Sequence, residues 1–252
     1  MPLHLALLGV GSPVASAFVP TDLGATLKIW GRADGTLWQD SARTTPVTAN
    51  NDPVGAADDA SGNANHCTQA TSTKRLTYKT GIQNGLPGLL GDGTDDFLVT
   101  PSMAWFPSKR GTLILAWKRV VFDNGNIFGT YNNAGTTFQA RHVSTPNYDW
   151  YDGLAVAALE GAAADTNAHI LIYNRTGDTT LNFRRDGVDK GNGTITNNQP
   201  SNNTAGILAD PVTAGAEAFN SYLLEWLYCD TSLSAGNVTS VETYLNGRWG
   251  VF

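Results

Sequence analysis

Acidic side chains are the residues of this 252-residue chain that could do chemistry. They form three groups: Asp58-Asp59, then Asp92, Asp95 and Asp96, then Asp149 with Asp152. A retaining glycosidase needs two carboxyl groups roughly 5–5.5 Å apart. No group has the alternating acidic spacing on one strand that would place such a pair, and aspartate is also a preferred turn residue. We therefore predict no catalytic residue and no enzyme.

Asp92, Asp95 and Asp96 could also offer oxygen ligands to a metal ion. Carboxylate oxygens suit Ca²⁺, but a calcium site needs 6–8 oxygens and the spacing matches no EF-hand loop. We predict no cofactor, with calcium at these three aspartates as the alternative and turn capping as the competing role.

Aromatic side chains are the candidates for stacking on sugar rings. Trp150 and Tyr151 lie in a polar, turn-like segment from Pro146 to Gly153. The glycan-binding candidates are Trp105, Tyr148, Trp150 and Tyr151. Core packing is the competing role, because buried aromatic rings dominate core energetics.

The composition excludes several classes of protein. Only 15% of the residues are charged, against about 25% in an average domain, and the net charge of −6 comes without a basic patch. Nucleic acid is therefore not an expected partner. No apolar run of about 18 residues exists, so we expect no membrane span. Cys67 and Cys229 match no metal-ligand spacing and are either core residues or a disulfide.

Residues 1–20 are predicted to form an N-terminal arm in front of one domain, residues 21–252. The run from Leu3 to Val10 is apolar, but it lacks the basic start of a secretory signal. The arm residues expected to pack on the domain or on a neighbouring subunit are Pro2, Leu3, Leu5, Leu7, Leu8 and Val10.

The elements that must position these side chains are mostly strands. Gly111 to Phe122 is nearly continuous in apolar residues, as expected for a strand covered on both faces. Asp186-Gly187 is a hairpin signal, and residues 191–204 are interpreted as an exposed loop. From Leu233 the apolar spacing becomes helical, with Ser234 as the N-cap and Gly247 at the C-terminal end.

Two turns rich in glycine, asparagine and aspartate decide the fold class. They run from Asp59 to His66 and from Gly91 to Phe97, and they belong to a series of short pieces in fixed order across some 220 residues. Among these pieces are Asp52-Pro53-Val54-Gly55, Gly85-Leu86-Pro87 and Tyr244-Leu245-Asn246-Gly247-Arg248-Trp249-Gly250. Together they resemble a concanavalin A-like (laminin G-like) lectin/glucanase domain of the bacterial and phage type.

The resemblance implies an all-β fold, a two-sheet antiparallel jelly-roll sandwich with a short C-terminal helix behind the N-terminal arm. Such a fold serves many functions. The stand-alone domain, the missing export signal and the arm favour a non-enzymatic phage virion structural protein, a head decoration, fibre or minor tail component. Its partners would be other virion proteins bound through residues 1–20, in an oligomeric assembly. The alternatives are a carbohydrate-binding module for cell-surface glycans, in a virion or secreted, and a polysaccharide-degrading enzyme.

Overall fold

The computed structural model describes residues 17–121, 124–130, 137–143, 147–154, 156–161, 165–196, 202–211 and 217–252. The chain begins there with a 3₁₀ segment, Pro20–Thr26, and two shorter ones follow at Ser72–Lys74 and Pro107–Lys109. The predicted arm residues Pro2, Leu3, Leu5, Leu7, Leu8 and Val10 lie outside the described residues.

The remaining described elements are twenty strands and one α-helix. The first ten strands are β1 (Leu27–Arg32), β2 (Leu37–Trp38), β3 (Pro53–Val54), β4 (Ala56–Ala57), β5 (Cys67–Thr68), β6 (Leu76–Gln83), β7 (Leu86–Leu90), β8 (Leu98–Val99), β9 (Met103–Ala104) and β10 (Gly111–Arg119). The others are β11 (Gly125–Thr130), β12 (Phe138–Val143), β13 (Asn147–Tyr151), β14 (Val156–Gly161), β15 (Ala168–Arg175), β16 (Thr180–Arg185), β17 (Val188–Thr194), β18 (Asn202–Asn203), β19 (Gly206–Ile207) and β20 (Ser221–Cys229). Helix α1 is Ala235–Trp249.

Two antiparallel sheets contain nearly all of these strands. Sheet A has the order β17-β16-β15-β10-β20-β7-β6-β3, with β1 also paired to β20. Sheet B has the order β14-β13-β12-β11-β19-β8-β5-β4-β2, and β18 pairs separately with β9. The prediction of an all-β, two-sheet antiparallel sandwich with a C-terminal helix is confirmed.

Strand β10 explains how the layers pack. Leu113, Leu115 and Trp117 point into the main core between the two sheets. Ile114 and Ala116 point the other way, into a second apolar cluster under α1. The strand is buried on both faces, as its unbroken apolar sequence predicts, and α1 is the element that covers its outer face.

Helix α1 begins as the sequence predicts and ends later. The Oγ of Ser234 accepts a hydrogen bond from the backbone N–H of Asn237 at 3.2 Å. The helix runs past the predicted end at Gly247, and Gly250 holds the left-handed position, with φ 59°. The extra turn buries Trp249 completely in the second cluster, and that burial favours the longer helix.

The turn from Asp59 to His66 connects β4 to its partner strand β5 in sheet B. The Oδ1 of Asp59 accepts the backbone N–H groups of Trp30 and Ser61, each at 2.9 Å, and its Oδ2 accepts that of Asn65 at 3.0 Å. The carboxylate therefore satisfies three backbone donors and fixes the turn against β1.

The sequence prediction for residues 191–204 is wrong in part. Strand β17 continues to Thr194, inside the predicted loop, because its backbone pairs with β16 through Thr180 and Thr194. The prediction missed this strand because glycine and asparagine have low strand propensity, and cross-strand pairing overrides that propensity.

Both cysteines are buried and unpaired. Cys67 lies in the main core and Cys229 in the second cluster, and burial raises the pKa of each thiol to about 12. Both are therefore core residues rather than a disulfide. No helix among the described residues has the length and apolar character needed to cross a bilayer.

Candidate functional site

Three of the four predicted glycan-stacking residues are core residues, so that prediction is wrong for them. Trp105 is 0% exposed, and Tyr148 and Trp150 are each 1% exposed. The ring of Trp150 stacks on Phe138 at 5.5 Å and meets Phe106 edge-on at 5.3 Å. Alternation along β13 turns Tyr148 and Trp150 towards the other sheet, so neither can meet a ligand.

Tyr151 is the exception, because its position in the alternation puts it on the outer face of sheet B. The side chain is partly exposed, and the guanidinium carbon of Arg141 lies 4.8 Å from the centre of its ring. The phenol donates a hydrogen bond to the carbonyl of Gly153 at 3.1 Å. The ring is therefore held in one orientation at the surface of the sheet.

Arg141 is itself fixed by an acidic partner on the next strand. Residues 141 and 149 are directly opposite each other in the pairing of β12 with β13. The Nε and Nη2 of Arg141 donate to the two carboxylate oxygens of Asp149, each at 2.9 Å. This fork geometry is among the stronger side-chain pairs, and Asp149 is only 3% exposed. Asp149 therefore positions Arg141 beside Tyr151.

A second polar pair extends the same face towards the loop before β20. Gln139, opposite Tyr151 in the strand pairing, donates through Nε2 to the Oε2 of Glu217 at 3.1 Å. Gln139 is buried while Glu217 is exposed. We call this set, formed by Gln139, Arg141, Asp149, Tyr151 and Glu217, the β12–β13 face.

One buried polar atom beside this face has no hydrogen-bond partner in the part of the chain that the structure describes. Asn126, opposite Arg141 on β11, donates through Nδ2 to the carbonyl of Ala209 at 3.1 Å. Its Oδ1 makes no hydrogen bond among the described residues, although the side chain is 0% exposed. Buried polar atoms are almost always paired, so an ordered water is the partner expected for this oxygen.

The chemistry of the β12–β13 face is that of a polar ligand site. It combines one aromatic ring, one guanidinium, one amide and one carboxylate on the neighbouring strands β12 and β13 with the carboxylate of Glu217 from the loop before β20. A few polar groups that converge beside an aromatic surface are typical of small-molecule sites. Sequence analysis named Asp149 and Tyr151 but missed Gln139, Arg141 and Glu217. Period-two alternation places Asp149 with Tyr151 on one face of β13 and Gln139 with Arg141 on one face of β12, whereas nothing local connects Glu217 to β12.

The candidate metal ligands Asp92, Asp95 and Asp96 do come together. One carboxylate oxygen from each lies within 4.8 Å of the others. Asp95 also pairs with the Nζ of Lys74 at 3.4 Å, and Asp92 accepts the backbone N–H of Thr94 at 2.8 Å. The three oxygens fit a calcium ion in type but not in number, and calcium binding here stays a prediction.

Asp96 has an unusual environment within this cluster. It is only 8% exposed, and burial, followed by the negative charges of Asp92 and Asp95, raises the pKa of its carboxyl to about 7. Crowded carboxylates cannot all ionise at low cost, so Asp96 keeps its proton at pH values well below 7.

No protein-family model matches the chain, and no curated protein matches it by sequence. Solved structures do match in fold. One is domain 4 of an extracellular GH43 arabinanase from Geobacillus stearothermophilus, in complex with arabinotriose. It is 12% identical, with a TM-score of 0.58, and the match covers 86% of this chain and 98% of that one.

Two larger proteins contain a similar unit. A GH54 α-L-arabinofuranosidase mutant soaked with 4-nitrophenyl α-L-arabinofuranoside is 12% identical, with a TM-score of 0.65, over 89% of this chain and 62% of its own. Trypanosoma rangeli sialidase in complex with sialic acid is 12% identical, with a TM-score of 0.57, over 88% of this chain and 33% of its own. The chain thus spans nearly all of the arabinanase domain but about a third of the sialidase. At these identities the similarity establishes the fold.

These neighbours overturn two predictions. The comparison contradicts the prediction of a phage virion structural protein, because the matching structures include parts of an arabinanase and an arabinofuranosidase. The comparison also contradicts the prediction that the chain is not an enzyme, since a sialidase and an α-L-arabinofuranosidase contain its fold, although the fold by itself assigns no activity. Both predictions were based on the N-terminal residues and on the absence of local catalytic motifs in the sequence. Neither feature describes a sheet face on which residues distant in sequence come together.

Proposed function

We propose that this chain is a concanavalin A-like carbohydrate-binding domain that holds a polysaccharide on its β12–β13 face. The observation that carries the proposal is the surface arrangement of Tyr151, with the guanidinium of Arg141 at 4.8 Å from its ring and Asp149 fixing that guanidinium. A fixed ring offers an apolar surface to a sugar ring, and the groups around it offer hydrogen-bond donors and acceptors to hydroxyls.

The charge of the face favours an uncharged glycan. Asp149 neutralises Arg141 in a bidentate pair, and Glu217 then leaves one excess negative charge on the face. An acidic sugar would meet this carboxylate at short range, where like charges repel. The arabinanase domain of nearly the same extent is in complex with arabinotriose, an uncharged sugar.

Affinity electrophoresis through gels that contain neutral polysaccharides tests the proposal. Mobility of the wild type should fall in at least one gel, and Tyr151→Ala should weaken that binding about three- to tenfold through loss of the stacked ring. Tyr151→Phe, which keeps the ring, is the matched control and should retain most of the retardation. Equal retardation of Tyr151→Ala and the wild type would contradict this site.

A second candidate function is hydrolysis of the bound glycan. The observation in its favour is that two carboxylates belong to this face, Glu217 through its hydrogen bond from Gln139 and Asp149 through its pair with Arg141. Glycosidases use carboxyl pairs that flank the scissile bond. Release of reducing ends by the wild type, abolished in Glu217→Gln, would support hydrolysis. Binding without any release would reject it and leave the binding proposal intact.

A further inference from the structure

A groove on the opposite side of the molecule has a different set of polar groups. It lies on the outer face of sheet A, beside the first turns of α1, and has a volume of about 350 Å³. That volume is within the usual range for small-molecule sites, about 300–1,000 Å³. We call it the asparagine groove, and the residues that matter are Asn174, Asn182, Asp189, Asn192 and Thr239.

The floor of the groove is a row of amides across three strands. Asn174 is directly opposite Asn182 in the pairing of β15 with β16, and Asn182 is directly opposite Asn192 in the pairing of β16 with β17. The row exists because the neighbouring residues Leu181 and Phe183 are buried in the main core. Alternation therefore turns the three amides outward on one line.

The two ends of the row have different roles. Asn174 is 5% exposed and holds the start of the helix, since its Nδ2 donates to the carbonyl of Leu233 at 3.0 Å and its Oδ1 accepts from the hydroxyl of Thr112 at 2.9 Å. Asn192 is exposed. It uses its Oδ1 to accept from Asn182 at 3.2 Å, and its Nδ2 makes no hydrogen bond within the described residues.

Asn182 lies in the middle of the row, and its side-chain Nδ2 has three acceptors within hydrogen-bond distance but only two N–H bonds. Its Nδ2 faces the Oδ1 of Asp189 at 3.0 Å, the carbonyl of Gly191 at 3.2 Å and the Oδ1 of Asn192 at 3.2 Å. An amide group has two N–H bonds, so one of these acceptors is always left for another donor. The groove therefore presents an unused donor at Asn192 and an unused acceptor around Asn182, side by side.

The charged groups at the groove favour an uncharged ligand. Arg184 is already paired, since its Nε and Nη2 donate to the two oxygens of Glu242 on α1 at 2.8 and 3.0 Å. The carboxylate of Asp189 is 55% exposed and lies 3.9 Å from the Nη1 of Arg184. Hydrogen bonds from the backbone N–H of Gly191 and from Asn182 lower the pKa of Asp189. The groove thus carries one net negative charge at neutral pH and would repel an anionic ligand.

We propose that the asparagine groove is a second glycan-binding site, separate from the β12–β13 face, for an uncharged sugar that it recognises by hydrogen bonds to neighbouring hydroxyls. A hydroxyl both donates and accepts, so two adjacent hydroxyls match the unused acceptor and donor of the amide row. The ligand class rests on the proposed function, whereas the site rests on the amide row itself. With no aromatic ring among its lining residues, the groove binds more weakly than a site with stacking.

The test follows the two sites separately in one titration. Two-dimensional ¹H–¹⁵N spectra report the side-chain amides of Asn182 and Asn192 and the backbone amide of Tyr151 while uncharged trisaccharides, arabinotriose among them, are added. Asn182→Ala and Asn192→Ala each remove one amide. Asn237→Ala is the matched control, because Asn237 is an exposed asparagine on α1 that does not line the groove. Asn192 is exposed, so its variant keeps the test valid if Asn182→Ala folds poorly.

Each outcome decides between the proposals. We expect the groove amides to shift on titration, and each asparagine variant to weaken that binding about three- to tenfold without changing the Tyr151 response. Asn237→Ala should change neither. A response at Tyr151 with unmoved groove amides would overturn the groove and leave the proposed function standing. Shifts in the groove with none at Tyr151 would support the groove and reject the β12–β13 face. No shift with any trisaccharide would overturn both.

Discussion

At the scale of single residues, Asp96 makes the stability of the fold depend on pH. The pKa of its carboxyl is raised to about 7 by burial and by Asp92 and Asp95, whereas an unfolded chain gives about 3.9. The folded state therefore holds this proton more tightly than the unfolded state. The stability it contributes is complete below pH about 4 and is lost as the pH rises through about 7.

Asp96→Asn should remove this part of the pH dependence. Urea unfolding at pH 5 and pH 8 should show that the wild type loses more stability than the variant over that interval, because the amide does not ionise. Added CaCl₂ at pH 8 should raise the melting temperature of the wild type but not of the variant, if the three carboxylates bind calcium. An identical decline in both proteins would contradict the environment described for Asp96.

His169 is a second residue whose protonation is coupled to folding. Its Nδ1 lies 2.7 Å from the Oδ2 of Asp186, and its Nε2 lies 2.9 Å from the Oδ1 of Asp165. Burial alone would lower the pKa of His169, but the hydrogen bonds and charges of Asp186 and Asp165 outweigh it and raise the pKa. The imidazolium thus ties the residues before β15 to the β16–β17 turn.

His169→Gln should weaken the fold mainly at lower pH. The raised pKa means that the contribution of the imidazolium is complete below its unfolded pKa of about 6.5 and is lost as the pH rises through the folded pKa. We expect the variant to lose about 1–3 kcal/mol of unfolding free energy at pH 6 and less at pH 9, measured by urea titration. A loss that grows with pH would have the wrong sign for this ion cluster.

At the scale of elements, Glu225 attaches α1 and β1 to the centre of sheet A. This carboxylate is 0% exposed. It accepts from the Nε1 of Trp30 at 2.7 Å, the Nε1 of Trp249 at 2.9 Å and the Nε of Arg248 at 3.1 Å. One side chain on β20 therefore satisfies donors from the first strand and from the last turn of the helix, which are far apart in sequence.

Glu225→Ala should be strongly destabilising. It leaves two buried indole donors and the Nε of Arg248 without their acceptor, a loss of about 3–5 kcal/mol for a broken buried pair, while the Nη2 of Arg248 keeps its bond to Asp34 at 2.6 Å. Asp178→Asn is the control, because Asp178 is 60% exposed where it pairs with Arg110, and exposed pairs contribute about 0–1 kcal/mol. Similar urea midpoints for the two variants would contradict the role given to Glu225.

The strands β10, β13 and β17 show how much of the fold and of the site the sequence predicts. Strand β10 was predictable because its apolar run leaves no polar face. The burial of Trp150 and the partial exposure of Tyr151 were not predictable. Both are large aromatic residues, and only the register of β13 decides which ring is buried. Glu217 and Gln139 are 78 positions apart, so only the packed sheet brings them together. Asparagine and glycine in β17 indicated a loop, and pairing with β16 made it a strand.

At the scale of the whole molecule, the sandwich presents two polar surfaces on opposite sides. The β12–β13 face has a fixed aromatic ring and lies on sheet B, and the asparagine groove lies between sheet A and α1. Two sites on one rigid body can hold one long polysaccharide or two chains, and linked sites bind more tightly than either alone. Double variants at Tyr151 and Asn182 should therefore lose more affinity for a polysaccharide than for a trisaccharide.

A glycan array probed with the wild type and with Tyr151→Ala tests carbohydrate binding most directly. The account predicts that the wild type binds at least one uncharged glycan, with weaker binding to acidic ones because of Glu217. Tyr151→Ala, with an unchanged melting temperature, should lose most of that signal. An array without signal for the wild type, or signals that Tyr151→Ala leaves unchanged, would contradict the β12–β13 face as a glycan-binding site.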